Sequence, residues 1–320
     1  MVSFWTRREF LGSSLIAAPL LGLASTLTAQ SGAARRFKLG VITDEISDDF
    51  DQALNFISNY RLHYCELRDI WGKNIMNLSR PDLDHAKHLV EDYGLKVSDI
   101  GSPIFKYNLP QMPVRPEKQG QGFGAAFTDR ESDRLLLESF ELAHFFATPK
   151  VRVFSYWRVK DPEKAYPYVR DRLAKAANLA GQHGILLLLE NEMECNVGTG
   201  QELGRILKDI NSPHLRGNWD PGNAVMLNEV PYPDGYRHVA GWFDHMHIKD
   251  AKKDPHTGKL VWAPVGGGII DWKGQIRALV ESHYDNTMSL ETHYRRPDGN
   301  RVESSRESLL GLLKIINEEA

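Results

Sequence analysis

The stretch Asp244–Asp250 places two histidines and a lysine at a spacing that could support chemistry. It has the pattern of a short strand that ends in polar residues, and successive side chains of a strand point to opposite faces. His245, His247 and Lys249 would then share one face, which a strand with a purely structural role seldom requires. The alternative is one hydrogen-bonded core histidine followed by a polar loop.

Three other predicted strands end in a carboxylate and then turn, namely Ile185–Glu190, Leu215–Asp220 and Met288–Glu291. With His247 they supply three oxygen donors and one imidazole, a set that suits Mn²⁺, Mg²⁺, Co²⁺ or Zn²⁺. Because oxygen donors outnumber the nitrogen, we expect Mn²⁺ first. As alternatives, each carboxylate could be an exposed charge at a strand end, and Asp220 before Pro-Gly could only initiate a turn.

The elements that must position these residues alternate strictly from residue 36 onward. Short apolar runs predict strands at Phe37–Thr43, Tyr64–Ile70, Lys96–Gly101, Lys150–Tyr156, Ile185–Glu190, Leu215–Asp220, Asp244–Asp250 and Met288–Glu291. Amphipathic spacing predicts helices at Asp48–Asn59, 79–94, Asp129–Phe146, Pro162–His183, Thr199–Ile210, Tyr236–Trp242, Asp271–His283 and Arg301–Glu318. Eight strand–helix units predict a parallel sheet, and residues 36–320 fit a single (βα)₈ TIM barrel.

The sequence separations of the candidate ligands support a barrel. Asp220 follows Glu190 by 30 residues and His247 follows Asp220 by 27, each about one strand–helix unit. All four ligands would then lie at the carboxyl ends of strands, where barrel enzymes keep their active sites. A doubly wound open sheet is the alternative, but no GxGxxG sequence follows the first strand.

Two long loops are predicted on the side of the barrel that carries the ligands. Residues 102–128 are rich in Pro, Gly and Gln, and a loop of this length is usually functional or disordered. We expect it to cover the barrel mouth as a lid. Residues 223–235 form the second loop, and residues 252–268 account for the longer separation between His247 and Glu291.

Residues 1–30 have the pattern of a cleavable export signal. Arg7 and Arg8 precede Phe10, Leu11 and a short apolar run, an arrangement typical of a twin-arginine signal. The export machinery would be a partner, and the mature protein would be periplasmic or otherwise exported. A membrane anchor is the alternative, although the run is shorter than the roughly 20 residues that a span needs.

The composition excludes several classes of protein. The formal net charge of −3 gives no basic surplus for nucleic acid. Cys65 and Cys195 are the only cysteines, so a disulfide framework and a four-cysteine zinc site are both excluded. We expect both thiols to be buried and inert.

Five short motifs stand in order on the predicted strand ends and loops. They are Leu189-Glu190-Asn191, Asp220-Pro221-Gly222-Asn223, His247-Ile248-Lys249-Asp250, Gly266–Trp272 and Leu290-Glu291-Thr292. From Phe37 to Ile316 the chain resembles the sugar phosphate isomerase/epimerase family with its xylose isomerase-like TIM barrel. The resemblance implies one divalent metal ion on Glu190, Asp220, His247 and Glu291, and acid–base roles for the two glutamates.

The resemblance extends to an apurinic endonuclease branch, from which this chain departs. That branch implies a three-metal site and a histidine three positions after the strand-six aspartate, where this chain has Asn223. Asp254-Pro255-His256 is only a weak echo of the endonuclease ligands. Nucleic acid is therefore not an expected partner.

Seven residues near the predicted mouth are candidate substrate contacts: Glu66, Trp71, Trp157, Arg158, Asn223, Lys249 and His293. Each has a structural alternative. Glu66 could be a buried ion-pair partner, the tryptophans could be ordinary packing, and Lys249 could form a salt bridge. Strand alternation places His245 one layer deeper than His247, as a core histidine or a support for the ligand.

The predicted chemistry is isomerisation or epimerisation of a sugar. A metal with open positions can bind a carbonyl and a neighbouring hydroxyl, and a carboxylate can remove the proton beside the carbonyl. Export and the lack of a clear phosphate-binding loop favour an unphosphorylated sugar or keto-sugar. A metal-dependent lyase or hydrolase of keto-glycosides and a non-catalytic sugar-binding protein are alternatives, and a homo-oligomer is compatible with each.

Overall fold

Eight parallel strands close into a barrel in the computed structural model, which describes residues 37–114 and 127–319. The strands are β1 Lys38–Ile42, β2 Tyr64–Leu67, β3 Lys96–Ile100, β4 Lys150–Val153, β5 Leu186–Glu190, β6 Leu215–Trp219, β7 Phe243–Ile248 and β8 Thr287–Leu290. Each pairs with the next in the chain, and β8 pairs with β1 to close the barrel. The predicted TIM barrel is confirmed.

The helices that surround the barrel are α1 Thr43–Ile46, α2 Phe50–Asn59, α3 Arg80–Asp92, α4 Ser132–Phe145, α5 Pro162–Gln182, α6 Gly200–Ile210, α7 Pro221–Met226, α8 Tyr236–Val239, α9 Trp272–Glu281 and α10 Arg301–Glu319. Side-chain caps define several of their starts. Ser79 accepts a hydrogen bond from the Asp82 amide, and Thr199 with Glu202 forms a capping box. None of the helices described is long and apolar enough to cross a membrane.

Two predicted strands, Tyr64–Ile70 and Lys150–Tyr156, end three residues earlier than predicted. β2 stops at Leu67, and Asp69–Ile70 then pairs with Lys73–Asn74 in a small antiparallel hairpin. Its two turn residues, Trp71 and Gly72, both have positive φ, as a two-residue hairpin turn requires. β4 stops at Val153, because the chain turns at Tyr156, which also has positive φ.

A second hairpin replaces the loop expected after β7. Asp250–Lys253 pairs antiparallel with Leu260–Ala263 beyond the end of the barrel strand. Asp250–Lys253 is rich in residues that are depleted in strands, so this half of the hairpin carries little strand signal in the sequence. The hairpin places Trp262 against Lys249, whose Nζ lies 5.3 Å from the ring centroid.

The loop after β3 begins inside the protein rather than above its mouth. Ile104, Phe105, Tyr107 and Leu109 are buried in the hydrophobic core. This first part of the predicted lid is therefore a packed segment. Residues 115–126 of the same loop, and the export signal at residues 1–30, lie outside the described residues, so the lid tip and the signal stay predictions.

Candidate metal centre

The four predicted ligands converge at the carboxyl end of the barrel. Glu190 ends β5, Asp220 directly follows β6, His247 lies on β7 and Glu291 directly follows β8. Ligand atoms of these four residues all lie within 4.8 Å of one another. Each residue is at most 2% exposed, so three carboxylates share a space with little access to water.

The imidazole of His247 is oriented as a metal ligand would be. Its Nδ1 lies 3.5 Å from Glu190 Oε1, 3.7 Å from Asp220 Oδ2 and 3.3 Å from Glu291 Oε2. Among the described residues, no hydrogen-bond partner reaches this buried nitrogen. A nitrogen lone pair that faces three carboxylates is repelled by them unless a cation lies between. The donor set therefore fits a divalent metal ion.

Asn223 links two of the ligands. Its side-chain amide donates to Glu190 Oε1 and to Asp220 Oδ2, both at 3.1 Å, and its backbone amide donates to Asp220 Oδ1 at 2.8 Å. Asp220 is the N-cap of α7, which has Pro221 in its first turn. The predicted turn signal and the predicted ligand are thus the same residue, and Asn223 lies beside the cluster.

Lys249 reaches the same carboxylates from β7. Its Nζ lies 2.8 Å from Asp220 Oδ2 and 2.5 Å from Glu291 Oε2. Burial disfavours the ammonium, but the two carboxylates outweigh it and raise the pKa of Lys249. Gly222 gives this side chain its room, because a Cβ there would collide with the Lys249 chain.

Two buried arginines that the sequence analysis did not single out also contact the ligands. Arg68 donates to Glu291 Oε1 at 2.9 Å and is also paired with Asp44 and Glu45. Arg152 lies 3.3 Å from Glu190 Oε2. Strand alternation was the available signal, since Arg68 follows Glu66 by two positions and Arg152 alternates with two valines.

Both glutamate ligands are held in the charged form. Burial alone would raise their pKa values, but positive neighbours reverse the effect. His247 and Arg152 lower the pKa of Glu190 to about 2. Lys249, His293 and His247 hold the pKa of Glu291 well below its usual range. Two carboxylates that stay ionised can bind a cation.

The candidate substrate contact Glu66 requires a correction. It is wholly buried beneath His247, and its two oxygens lie 3.2 and 3.1 Å from His247 Nε2. The side chain points inward from β2 as expected, but one layer below the ligands and away from the mouth. His245 lies in this deeper layer, as strand alternation predicts, and contacts Glu66 at 3.2 Å.

Arg158 is also not part of the cluster. Its guanidinium pairs with Glu202 at 2.6 Å and donates to the backbone oxygens of Cys195 and Asn196. These contacts tie the segment after β4 to α6, so the structure gives Arg158 structural contacts outside the cluster.

The remaining predicted contacts are divided between packing and the mouth. Trp71 stacks on His85 and meets Phe50 edge-on, which is a packing role. Trp157 is 2% exposed, and its ring lies 5.6 Å from the ammonium of Lys106. His293 is part-exposed and lies 3.8 Å from Glu291 Oε1, so the structure brings it close to the ligands.

Glu192, a second carboxylate that could have replaced Glu190 as a metal ligand, is not in the cluster. Its Oε2 lies 2.7 Å from Lys106 Nζ in a nearly buried ion pair. Both cysteines are buried, and burial raises the pKa of each thiol.

Several solved structures share this fold at low sequence identity. The IOLI protein with a bound zinc atom has a TM-score of 0.68 and 16% identity, over 89% of this chain and 99% of that one. The probable 3-DHS dehydratase AsbF of Bacillus anthracis has a TM-score of 0.65 and 17% identity, over 86% and 98%. D-allulose 3-epimerase of a Methylomonas species, in complex with D-allulose, has a TM-score of 0.64 and 15% identity, over 89% and 98%.

The sequence itself carries the family assignment. No curated protein matches the chain at a significant level. Residues 59–314, which include all four candidate ligands, match a family of barrel proteins. The chain belongs to the xylose isomerase-like TIM barrel family.

Proposed function

We propose that this protein is a divalent-metal-dependent sugar isomerase or epimerase. The observation that carries the proposal is the buried Nδ1 of His247, which faces three carboxylates from three other strand ends. Sugar epimerases and a probable dehydratase are among the proteins that share the fold. The reaction would begin with removal of the proton beside a carbonyl group.

The metal would be held by Glu190, Asp220, His247 and Glu291. When bound, it would polarise the substrate carbonyl and orient the neighbouring hydroxyl. Three oxygen donors and one nitrogen favour Mn²⁺, with Mg²⁺, Co²⁺ and Zn²⁺ as alternatives. A neighbour with zinc and another with magnesium are compatible with this range.

The two glutamates would move the proton. Glu190 ends β5 and Glu291 directly follows β8. These strands are not neighbours in the barrel, so the two glutamates approach the centre from different sides. One carboxylate can remove a proton from one face of the substrate, and the other can return it to the opposite face. Asn223 and Arg68 fix their orientations through the contacts at 3.1 and 2.9 Å.

The charges around the centre favour an uncharged substrate. Lys249 is paired with Asp220 and Glu291, Arg68 with Asp44, Glu45 and Glu291, and Lys106 with Glu192. A phosphate group would have to displace one of these carboxylates to gain a cation. We therefore propose an unphosphorylated sugar or keto-sugar, with Trp157, Lys249, Asn223 and His293 as candidate contacts.

A metal-dependent substrate screen tests the function. Protein stripped with a chelator and reloaded with Mn²⁺ should convert at least one uncharged ketose or keto-glycoside, and the stripped protein should not. Phosphorylated forms of the same sugars should be poor substrates. Equal turnover with and without metal would exclude the proposal.

A lyase is the second candidate, because one neighbour in fold is a probable dehydratase. The same proton removal, on a substrate with an oxygen substituent one carbon further, would expel that substituent. The substrate would then lose water or an alcohol, and its configuration would not be the only change. Product mass separates the two reactions, and incorporation of solvent oxygen would indicate the hydrolase alternative. A chain that binds sugars without turnover would give none of these products.

A further inference from the structure

The barrel interior beneath the metal centre is polar, whereas barrel interiors are mostly filled by branched apolar side chains. Glu66 on β2, Asp99 on β3, Arg152 on β4 and His245 on β7 are all wholly buried there. Buried charges cost free energy even when they are paired, and an apolar core would be at least as stable. This layer therefore has a role that apolar packing would not supply.

Glu66 is the member of this layer that contacts a ligand most closely. Its Oε1 and Oε2 lie 3.2 and 3.1 Å from His247 Nε2. Arg152 lies 3.6 Å from Glu66 Oε1 and 3.3 Å from Glu190 Oε2, so it joins the deeper carboxylate to the ligand above it. These contacts connect Glu66 to two of the four candidate ligands.

The chemistry of the contact decides which ring nitrogen carries the proton. A neutral imidazole has one donor and one acceptor nitrogen, and an ionised carboxylate only accepts. With Glu66 against Nε2, the proton belongs on Nε2, and the lone pair on Nδ1 then faces the three other carboxylates. The opposite arrangement would set the Nε2 lone pair against Glu66 and a proton where the metal would bind.

Asn218 on β6 is consistent with this arrangement. Its side-chain amide nitrogen lies 3.0 Å from His247 Nε2, and its Oδ1 has no hydrogen-bond partner among the described residues. A 180° rotation of the amide would offer Oδ1 to the Nε2 proton as a second acceptor. Both groups that touch Nε2 can therefore accept its hydrogen bond.

We propose that Glu66 is a positioning residue that fixes the proton of His247 on Nε2 and presents Nδ1 to the metal. The inference rests on the metal centre of the proposed function and assigns Glu66 a role other than substrate contact. Carboxylates that orient a ligating histidine also raise its basicity, and their loss commonly costs about 10–100-fold in metal affinity.

The layer that supports Glu66 supplies a matched control. His245 Nε2 donates to Glu66 Oε2 at 3.2 Å, and its Nδ1 lies 2.6 Å from Thr287 Oγ1. Asp99 Oδ1 lies 3.6 Å from the same nitrogen of His245, and no hydrogen bond or ion pair among the described residues joins Asp99 to His247. Asp99→Asn thus changes a buried carboxyl group of the layer that makes no direct contact with the ligand.

The test compares Glu66→Gln with Asp99→Asn in the full chain. Both substitutions keep the shape of the side chain and replace a carboxyl group by an amide. Co²⁺ and Mn²⁺ affinities are measured by titration calorimetry, and thermal unfolding of the metal-free proteins reports stability separately. We expect Glu66→Gln to bind either metal about 10–100-fold more weakly than wild type. Asp99→Asn should bind close to wild type, whatever its effect on stability.

Proton NMR of the Co²⁺ form gives a readout that stability does not move. A ring N–H of a bound histidine should appear as a strongly shifted, exchangeable signal, and Glu66→Gln should make it exchange faster with D₂O. Equal affinities of the two variants, or a wild-type spectrum without the signal, would overturn the proposal. The wild-type spectrum decides even if Glu66→Gln does not fold. Wild-type protein that binds no metal would instead overturn the metal centre itself.

Discussion

His247 is the only nitrogen donor among the four candidate ligands, so its protonation would limit metal binding at this site. Burial opposes a charged imidazole, but Glu66, Glu190 and Glu291 together raise the pKa of His247 above its usual range in the metal-free protein. A metal ion needs the deprotonated nitrogen, so protons and metal compete for it. Because the pKa is raised, the competition extends to a higher pH than for an ordinary histidine.

Metal affinity should therefore weaken as the pH falls through neutrality. One competing proton weakens apparent affinity by about tenfold per pH unit below the pKa of the group. Calorimetric titration of Mn²⁺ at pH 8, 7 and 6 measures the trend. An affinity that stays constant from pH 8 to 6 would contradict the assignment of His247 as a ligand.

Glu190→Gln and Glu291→Gln test the acid–base assignment. General acid–base groups contribute roughly 10²–10⁴-fold each, so either change should lower kcat by at least about 10²-fold. A metal ligand is lost at the same time, so metal content is measured beside the rate. Glu202→Gln, which lies on α6 and pairs with Arg158, is the control and should retain most of the activity. Similar losses in all three would point to damage of the fold.

The convergence of the four candidate ligands could be predicted because each lies at or beside the carboxyl end of a strand, and Glu190, Asp220 and His247 are about one strand–helix unit apart. The supporting residues were harder to predict. Arg68 and Arg152 are charged residues at inward strand positions, where an isolated pattern predicts apolar side chains. Their role depends on which carboxylates of other strands lie within contact distance in the barrel. Spacing along the chain does not predict those contacts.

At the scale of elements, Asp250 fixes the loop that follows the β7 hairpin. Its Oδ1 accepts from the amides of Ala251 and Ile270, and its Oδ2 accepts from those of Gly266 and Gly268. A Cβ at Gly268 would collide with this carboxylate, which explains the glycine. The motif Gly266–Trp272 was one of the five that carry the family resemblance. Its backbone amides at Gly266, Gly268 and Ile270 bind one buried carboxylate, that of Asp250.

Asp250→Asn should destabilise the protein. An amide NH₂ would replace one acceptor oxygen among four amide donors, and a hydrogen bond to a charged group contributes about 1.5–3 kcal/mol. We expect a loss of about 2 kcal/mol or more in denaturant unfolding. Burial raises the pKa of Asp250 to about 6, so the measurement is made at pH 8, where the carboxylate is charged.

Asp254→Asn is the matched control for that measurement. Asp254 accepts from the amides of His256 and Thr257 in the turn of the same hairpin, but it is less buried than Asp250. Its replacement should cost clearly less than that of Asp250. Equal stability of the two variants would show that the glycine-rich loop does not depend on the buried carboxylate.

The predicted elements were most accurate where apolar spacing and caps agreed. The strand Leu215–Trp219 and the helix Gly200–Ile210 lie within one residue of the predicted ranges. The two hairpins were not predicted. One turns at Trp71, a residue type that rarely adopts positive φ, and the other begins with Asp250–Lys253, whose residue types are depleted in strands.

Export of the whole protein stays a prediction, because the signal at residues 1–30 lies outside the residues that the structure describes. Replacement of Arg7 and Arg8 by lysine should leave folded protein in the cytoplasm if the twin-arginine pathway carries it. Cell fractionation of a wild-type and a double-lysine strain makes the measurement. Normal export of the double variant would show that this pathway is not used. A homo-oligomer is compatible with the sequence, and the oligomeric state can be measured on the same protein.

Solvent-proton exchange is the most direct test of metal-dependent proton removal beside a carbonyl group. A sugar that the substrate screen identifies as a substrate is incubated in D₂O in four separate reactions. These contain Mn²⁺-loaded wild type, metal-free wild type, Glu190→Gln and Glu291→Gln. The loaded wild type should introduce deuterium at the carbon beside the carbonyl, and the other three should not. A proton that returns to the same molecule would still produce an isotope effect with substrate labelled at that carbon. Turnover with neither exchange nor an isotope effect would contradict the account.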